Sequence, residues 1–424
     1  MRCKIIEKNR NNDNKVRNIS YFCIVKENNC IFKTIFAVLL TLTVCSTRAQ
    51  IALPSEMDSV KIYLLTCGPG NEVWSLYGHT AIRIENRING TDIVVNYGTF
   101  SLKQKMFVLR FIFGLTDYSM GICGITDFIA EYTYEGRWVK QQELNLLPEE
   151  KMNIVKAIEI NARPENINYR YNFFYNNCTT RARDLIVRNI NGEVIFENKM
   201  ENSPSFRTMI HGCNEHDRWA RFGNDLLLGI KADYRTSRSQ QQFLPANLER
   251  DFSNASIAYD NGKRRKLVSG SSMLIPESIA KGSPGCSSES IVTPLLLSIC
   301  LLIAVAVATL VQLLTKRRMW ILDSILMVSS GLAGVILFAM LFSSHPTVNL
   351  NLQILILNPI SLILAYKITR NGMKGKGHWY WKVTAACCIL FLIGNSIQVY
   401  AEGMNILALS LLIRSVVNSS KAYK

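Results

Sequence analysis

Between residues 291 and 415 the chain is almost continuously apolar, broken only by short polar segments. No other feature limits the fold as strongly, because a bilayer admits only backbones whose polar groups are satisfied internally, helices foremost. The runs fall at about 291–314, 320–342, 352–366, 383–399 and 403–415. A hydrocarbon core of ~30 Å takes about 20 helical residues, so the third and fifth runs are short. Asn358-Pro359 interrupts the third, which predicts a broken or re-entrant segment. "TKRR" (315–318) follows the first run and "YKITRNGMKGKGHWYWK" the third, whereas "SSHPTVNLN" and "YAEGMN" contain no Lys or Arg. Basic loops remain cytoplasmic. One arrangement satisfies all four segments: about five spans over 291–417, everything from 50 to 290 outside the cytoplasm, and a cytoplasmic tail at 418–424. In a bacterium this is a multi-pass protein of the inner membrane.

The formal net charge of +16 comes from 48 Lys and Arg against 32 Asp and Glu. Much of the excess sits in the first 33 residues and between the apolar runs, where topology accounts for it, so no nucleic-acid partner is expected. A basic, Asn-rich lead, "TIFAVLLTLTVC" (34–45) and "STRAQ" have the order of a signal peptide, with Thr47-x-Ala49 ahead of cleavage before Gln50. An uncleaved anchor and a lipidated Cys45 are the alternatives. Residues 1–49 are thus a leader, 50–250 an outer domain and 251–290 a Ser- and Gly-rich polar linker containing "GKRRK".

The outer domain reads as α+β. "VKIYLLTCGPG" (60–70) is a strand running into a turn, and "TAIRIEN" (80–86) alternates cleanly. "RING" supplies a hairpin turn and "TDIVVNYGTF" (91–100) returns. "LPEEKMNIVKAIEINARP" (147–164) is bounded like a helix by its two prolines, and a second helix follows Cys178, with Asn177 or Thr179 as its cap.

The outer cysteines are 67, 123, 178, 213 and 286, an odd number, so full pairing would still leave one thiol. Their wide spacing does not favour a structural zinc site, although His211, Cys213 and His216 cluster locally. Cys178 stands out. A thiol at the first turn of a helix meets unpaired N–H groups and a favourable dipole, which stabilise a thiolate. A nucleophile also needs a base and a group to orient the base. His79 opens the strand after Gly78, and Asn96 lies on the returning strand. His79, Asn96 and Cys178 therefore form a candidate thiol triad. A packed Cys178 with a structural His79 accounts for the same residues, and Cys67 is the rival nucleophile.

"GHTAIRI", "NYGTF" and, about eighty residues later, "YNFFYNNCTTRARD" resemble the Lnb family, Bacteroides-type lipoprotein N-acyltransferases whose periplasmic thiol domain precedes a membrane region. "SSHPTVNLNLQILILNP" resembles the family's membrane half. More broadly, the His strand preceding the Cys helix is similar to circularly permuted papain-like enzymes. The resemblance implies a permuted papain-like outer domain, Cys178 as nucleophile, His79 as base and Asn96 as the polar residue that follows. Asn176 stands where family members often have Asp. It also implies an activity without a cofactor: an acyl chain passes from a membrane phospholipid, through a Cys thioester, to the α-amine of a diacylglyceryl-cysteine lipoprotein. A cell-wall endopeptidase, a phospholipid deacylase and a non-enzymatic membrane-anchored binding protein are the other readings.

Overall fold

The computed structural model describes residues 57–100, 105–196, 203–278 and 291–419. The leader expected over 1–49, with Cys45, lies outside the described residues, as do Cys286 and the tail from 420.

Strand β1 (Val60–Cys67) is apolar on both faces, and the fold uses both. It is flanked on each side inside a seven-stranded sheet, and nearly every residue in it is buried. β2 (His79–Asn86) and β3 (Thr91–Thr99) continue the sheet as the expected hairpin, in register from Asn86 opposite Thr91. After helix α1 (Phe107–Ile112) come β4 (Asp117–Gly124), α2 (Ile125–Tyr134), β5 (Val139–Leu144), α3 (Pro148–Asn161) and β6 (Asn168–Arg170). Then follow α4 (Cys178–Arg188), β7 (Glu193–Phe196), α5 (Phe206–Cys213), α6 (Arg218–Leu227), α7 (Pro245–Ser253), β8 (Ala255–Ala258), β9 (Arg264–Lys266) and β10 (Val268–Ile275). The sheet order is β10-β5-β1-β2-β3-β4-β6, antiparallel throughout.

Alternation along the strands sends two apolar sets to opposite faces. Ile62, Leu64, Ile82 and Val95 pack with Ile154, Ala182, Ile186, Leu248 and Phe252, so α3, α4 and α7 cover one face. Leu65, Ala81 and Val94 pack with Phe128 and Tyr132 of α2 on the other.

The linker reading of 251–290 needs correction. Residues 255–275 form three strands, and β10 closes the main sheet by pairing with β5. Its "VSGSSMLI" is polar because an edge strand with one open face has little to bury. The outer domain therefore extends at least to Ile275.

The membrane half consists of α8 (Pro294–Thr315), α9 (Trp320–Met340), α10 (Pro359–Met373), α11 (Tyr380–Gly394) and α12 (Met404–Ser419). Three stretches, Pro294–Thr315, Trp320–Met340 and Leu352–Met373, are long and apolar enough to cross a membrane, and the last two helices are shorter. The break expected in the third run is present. A 3-10 turn at Leu352–Leu355 precedes α10, whose Ile360 N–H donates to the Asn358 side chain at 2.9 Å.

Successive helices alternate in direction. The segments after α9 and α11 meet the outer domain, with Gly229 N–H on the Thr347 carbonyl at 2.8 Å and Gln398 Nε2 on the Leu228 carbonyl at 3.1 Å. The other ends converge far from it, where Arg318 donates to the Gly375 carbonyl at 3.0 Å and to the Asn418 carbonyl at 3.3 Å. Here Arg414, fully buried, grips Asp323 through two nitrogens at 2.7 and 3.0 Å, and also donates to Thr309 and Gln312.

One apolar core runs through both halves. Phe174, Phe206, Leu228 and Phe243 from the outer domain join Val348, Ile356, Tyr400 and Met404 from the membrane half in a single cluster.

Candidate active site

Cys178 is the first residue of α4, and the residue before it fixes that helix in place. Asn177 is the N-cap: its side-chain oxygen accepts from Thr180 N–H at 2.9 Å, while Thr180 Oγ1 accepts from Asn177 N–H at 2.9 Å. This is a reciprocal capping box. The remaining Asn177 donor divides between the carbonyls of Phe173 (3.0 Å) and Phe243 (2.8 Å), so the cap is also tied to the core. Asn176 turns away and donates to the Arg170 carbonyl. The amides of Cys178 and Thr179 lie in the first turn, where the helix itself provides no acceptor for them.

Two glycines let the strands approach this helix end. Gly98 has a φ of 93°, and a side chain there would meet Cys178 Cβ at 3.7 Å and the Tyr169 hydroxyl at 3.9 Å. The register shift between Tyr97 and Thr99 is the matching irregularity in β3. Gly78, with a φ of 76°, turns the chain into His79 so closely that a Cβ would lie 2.7 Å from the Cys67 carbonyl oxygen.

The three residues singled out in the sequence come together. His79 Nε2 donates to Asn96 Oδ1 at 3.1 Å, and Asn96 Nδ2 donates to Cys123 Sγ at 3.6 Å, which fixes the orientation of the carboxamide. The imidazole and the Cys178 thiol are close enough that each shifts the other's pKa. Burial alone would raise the thiol's pKa. The charge and hydrogen bond of His79, the Thr80 backbone N–H and the Thr179 hydroxyl outweigh burial and bring it down to about 7. His79 shifts reciprocally: burial disfavours its charge, but Cys178 beside it and Asn96 behind it raise its pKa. Each of the two groups thus favours the charged form of the other.

The rival thiols differ in environment. Cys67 is fully enclosed, and burial pushes it up to about 12 despite the opposing charge of Arg137. Cys213 is pushed up to about 11 by burial and donates to the Met209 carbonyl. His211 of the candidate metal cluster is instead engaged by both oxygens of Asp225, at 2.8 and 2.9 Å. Arg181, in the same helix, stacks over Tyr169 at 3.9 Å, and Arg183 is held by Asp184 and the Ser239 carbonyl.

Two features were not foreseen. Tyr169, 8% exposed, has a hydroxyl with no hydrogen-bond partner among the described residues although it lies beside Cys178. Burial, then the Cys178 charge, raises its pKa, so it remains a phenol and a donor. Thr80 and Thr179, both buried, are bonded to each other. In a sequence without the fold these are an unremarkable tyrosine and two unremarkable threonines.

The fold and the site define a membrane protein whose α+β outer domain carries a half-buried thiol–imidazole–carboxamide group next to a helical transmembrane domain. Residues 50–211 match the family model of the Lnb N-terminal periplasmic domain, and residues 286–424 match that of the Lnb transmembrane domain. The chain belongs to the Lnb family, and its outer domain is periplasmic. Membership marks it as a lipoprotein N-acyltransferase-like membrane protein. Among curated proteins and among solved structures, no match was found.

Proposed function

We propose that this protein is a thiol acyltransferase that moves an acyl chain from a membrane phospholipid to the α-amine of a diacylglyceryl-cysteine lipoprotein. The observation that carries this reading is the Cys178 thiol at a capped helix N-terminus beside His79, whose ring is hydrogen-bonded to Asn96 at 3.1 Å. Cys178 is the nucleophile, His79 the acid–base and Asn96 the residue that orients it.

In the first half-reaction the thiolate adds to the ester carbonyl and the ester C–O bond breaks. The imidazolium passes its proton to the departing lysophospholipid alkoxide, leaving an acyl thioester on Cys178 and a neutral His79. In the second, the lipoprotein amine adds to the thioester carbonyl, His79 accepts its proton, and the thiolate departs as the amide forms. Both tetrahedral intermediates carry an oxyanion. The first-turn amides of Cys178 and Thr179 and the unpartnered Tyr169 hydroxyl are the donors available to it. The membrane half gives both lipid substrates access on the periplasmic side, with five crossings and a cytoplasmic C-terminus.

The test is lipoprotein acylation in a strain that depends on each variant. Cys178→Ala and His79→Ala should leave lipoproteins with two acyl chains instead of three by mass spectrometry, as should Cys178→Ser, whose hydroxyl is a weak nucleophile. Asn96→Ala should leave partial activity. Three chains with Cys178→Ala would sink the covalent route. Acyl release to water, with no acceptor needed, would make the protein a phospholipid deacylase.

A further inference from the structure

The short helix α1 connects the membrane half to the surroundings of Cys178. At its C-terminal end, Ser344 N–H donates to the Phe113 carbonyl at 3.0 Å, and the His345 ring lies against Gly114 and 6.4 Å from the Phe111 ring. Ser344 follows closely on the end of α9 at Met340, so this clamp ties α1 to the end of that apolar helix. On its other side, Arg110 reaches Asp117 at 2.5 Å and the Leu115 carbonyl at 3.0 Å, and Arg170 also holds Asp117, at 3.0 Å. The next residue, Tyr118, presents its ring edge-on to Tyr171 at 4.0 Å and to Phe100 at 5.0 Å. Tyr171 is the ring that borders Gly98, the residue against Cys178.

The exposed side chains around this short helix are largely apolar: Met106 just before it, Leu109 and Phe111 within it and Leu115 just after it are 44–62% exposed. Such a patch marks a surface that has a partner. Phe338 and Phe342 at the end of α9 are exposed too, so the patch continues the lipid-facing side of a span. Arg110 and Arg170 at its margin are basic side chains of the kind that settle at the headgroup level.

We propose that α1 is an interfacial helix seated in the periplasmic leaflet of the bilayer, and that Phe100, Tyr118 and Tyr171 form the wall along which a phospholipid acyl chain leaves that leaflet for Cys178. The route, though not the seating, rests on the acyl-transfer reading above.

The seating is tested with the full-length protein in vesicles of phosphatidylethanolamine and phosphatidylglycerol, carrying benzoylphenylalanine in place of Leu109. Illumination should yield a phospholipid adduct by mass spectrometry. The same probe at Ile88, on the turn between β2 and β3 and 76% exposed, should not. No adduct at 109, adduct to protein only, or equal yields at both positions overturns the seating.

The route is tested with the Leu109→Gln/Phe111→Gln double variant. Thioester formation from vesicle phospholipid should fall at least tenfold, while thioester formation from a water-soluble short-chain ester and alkylation of Cys178 by iodoacetamide stay unchanged. Equal loss on both donors, or none on vesicle lipid, overturns the route. A wild-type protein that forms no thioester from either donor refutes the acyl-transfer reading and the route with it, and the adduct at 109 still decides the seating.

Discussion

The Thr80 hydroxyl donates a 3.1 Å hydrogen bond to the Thr179 hydroxyl, joining the residue after His79 to the residue after Cys178 across 99 positions of sequence. Both side chains are completely buried. This bond holds the His79 strand against the Cys178 helix. Thr179→Val should cost about 1–3 kcal/mol, because it leaves the Thr80 hydroxyl buried without a partner. The Thr80→Val/Thr179→Val double variant should be closer to wild type than the two single losses added together, a non-additivity that thermal melting of all four proteins measures.

Cysteine reactivity should separate the thiols by pH. Cys178 should be alkylated by iodoacetamide with a midpoint near pH 7, its thiolate fraction rising as the pH passes through that value. Cys67, pushed up to about 12, and Cys213, pushed up to about 11, should remain unreacted there. In His79→Ala the lowering influence disappears and burial remains, so the Cys178 midpoint should move upward. A midpoint unmoved by that substitution would remove His79 from the site. Peptide mapping after timed labelling gives the curves.

Tyr169→Phe retains the ring over which Arg181 stacks and removes only the hydroxyl. Since that hydroxyl has no partner among the described residues, its loss should hardly affect melting. If it serves the oxyanion, thioester formation should slow by roughly 100- to 1000-fold with little change in KM, the range seen for loss of one oxyanion donor. An unchanged kcat would leave the backbone amides alone in that role.

Arg414→Ala should destabilise the membrane half by ~3–5 kcal/mol, since Asp323 would remain as an uncompensated buried charge. Replacing both members of the pair with apolar residues, Asp323→Leu/Arg414→Met, should recover much of the loss. Melting in detergent distinguishes the two. Equal losses in both would mean that the pair acts through Thr309, Gln312 and Asn418 rather than through its own charges.

Much of the site could be read because its signals are local. His79 and Asn96 sit on two strands joined by a tight hairpin, so alternation and a turn bring them together, and Cys178 carries its own cap at Asn177. The membrane runs were legible for the same reason, hydropathy being a property of a window. Long-range polar partners were not. Arg414 meets Asp323 from 91 residues away, and Arg207 collects Asp225 and Asp233 only once α5 and α6 have folded against the loops of the membrane half. β10 escaped because an edge strand with an open face lacks the apolar alternation by which strands are recognised.

The apolar core shared by both halves has a consequence for inheritance. Phe174, Phe206 and Phe243 are packed in common with residues of the membrane half, and Gln353 and Gln398 are spent on the carbonyls of Asp225, Leu226 and Leu228. A chain ending at residue 278 would carry that seam into water, with its aromatic face bare and its carbonyls unanswered. The gene can therefore lose neither half and keep the other: periplasmic head and membrane anchor have to be transmitted, and repaired, as one piece.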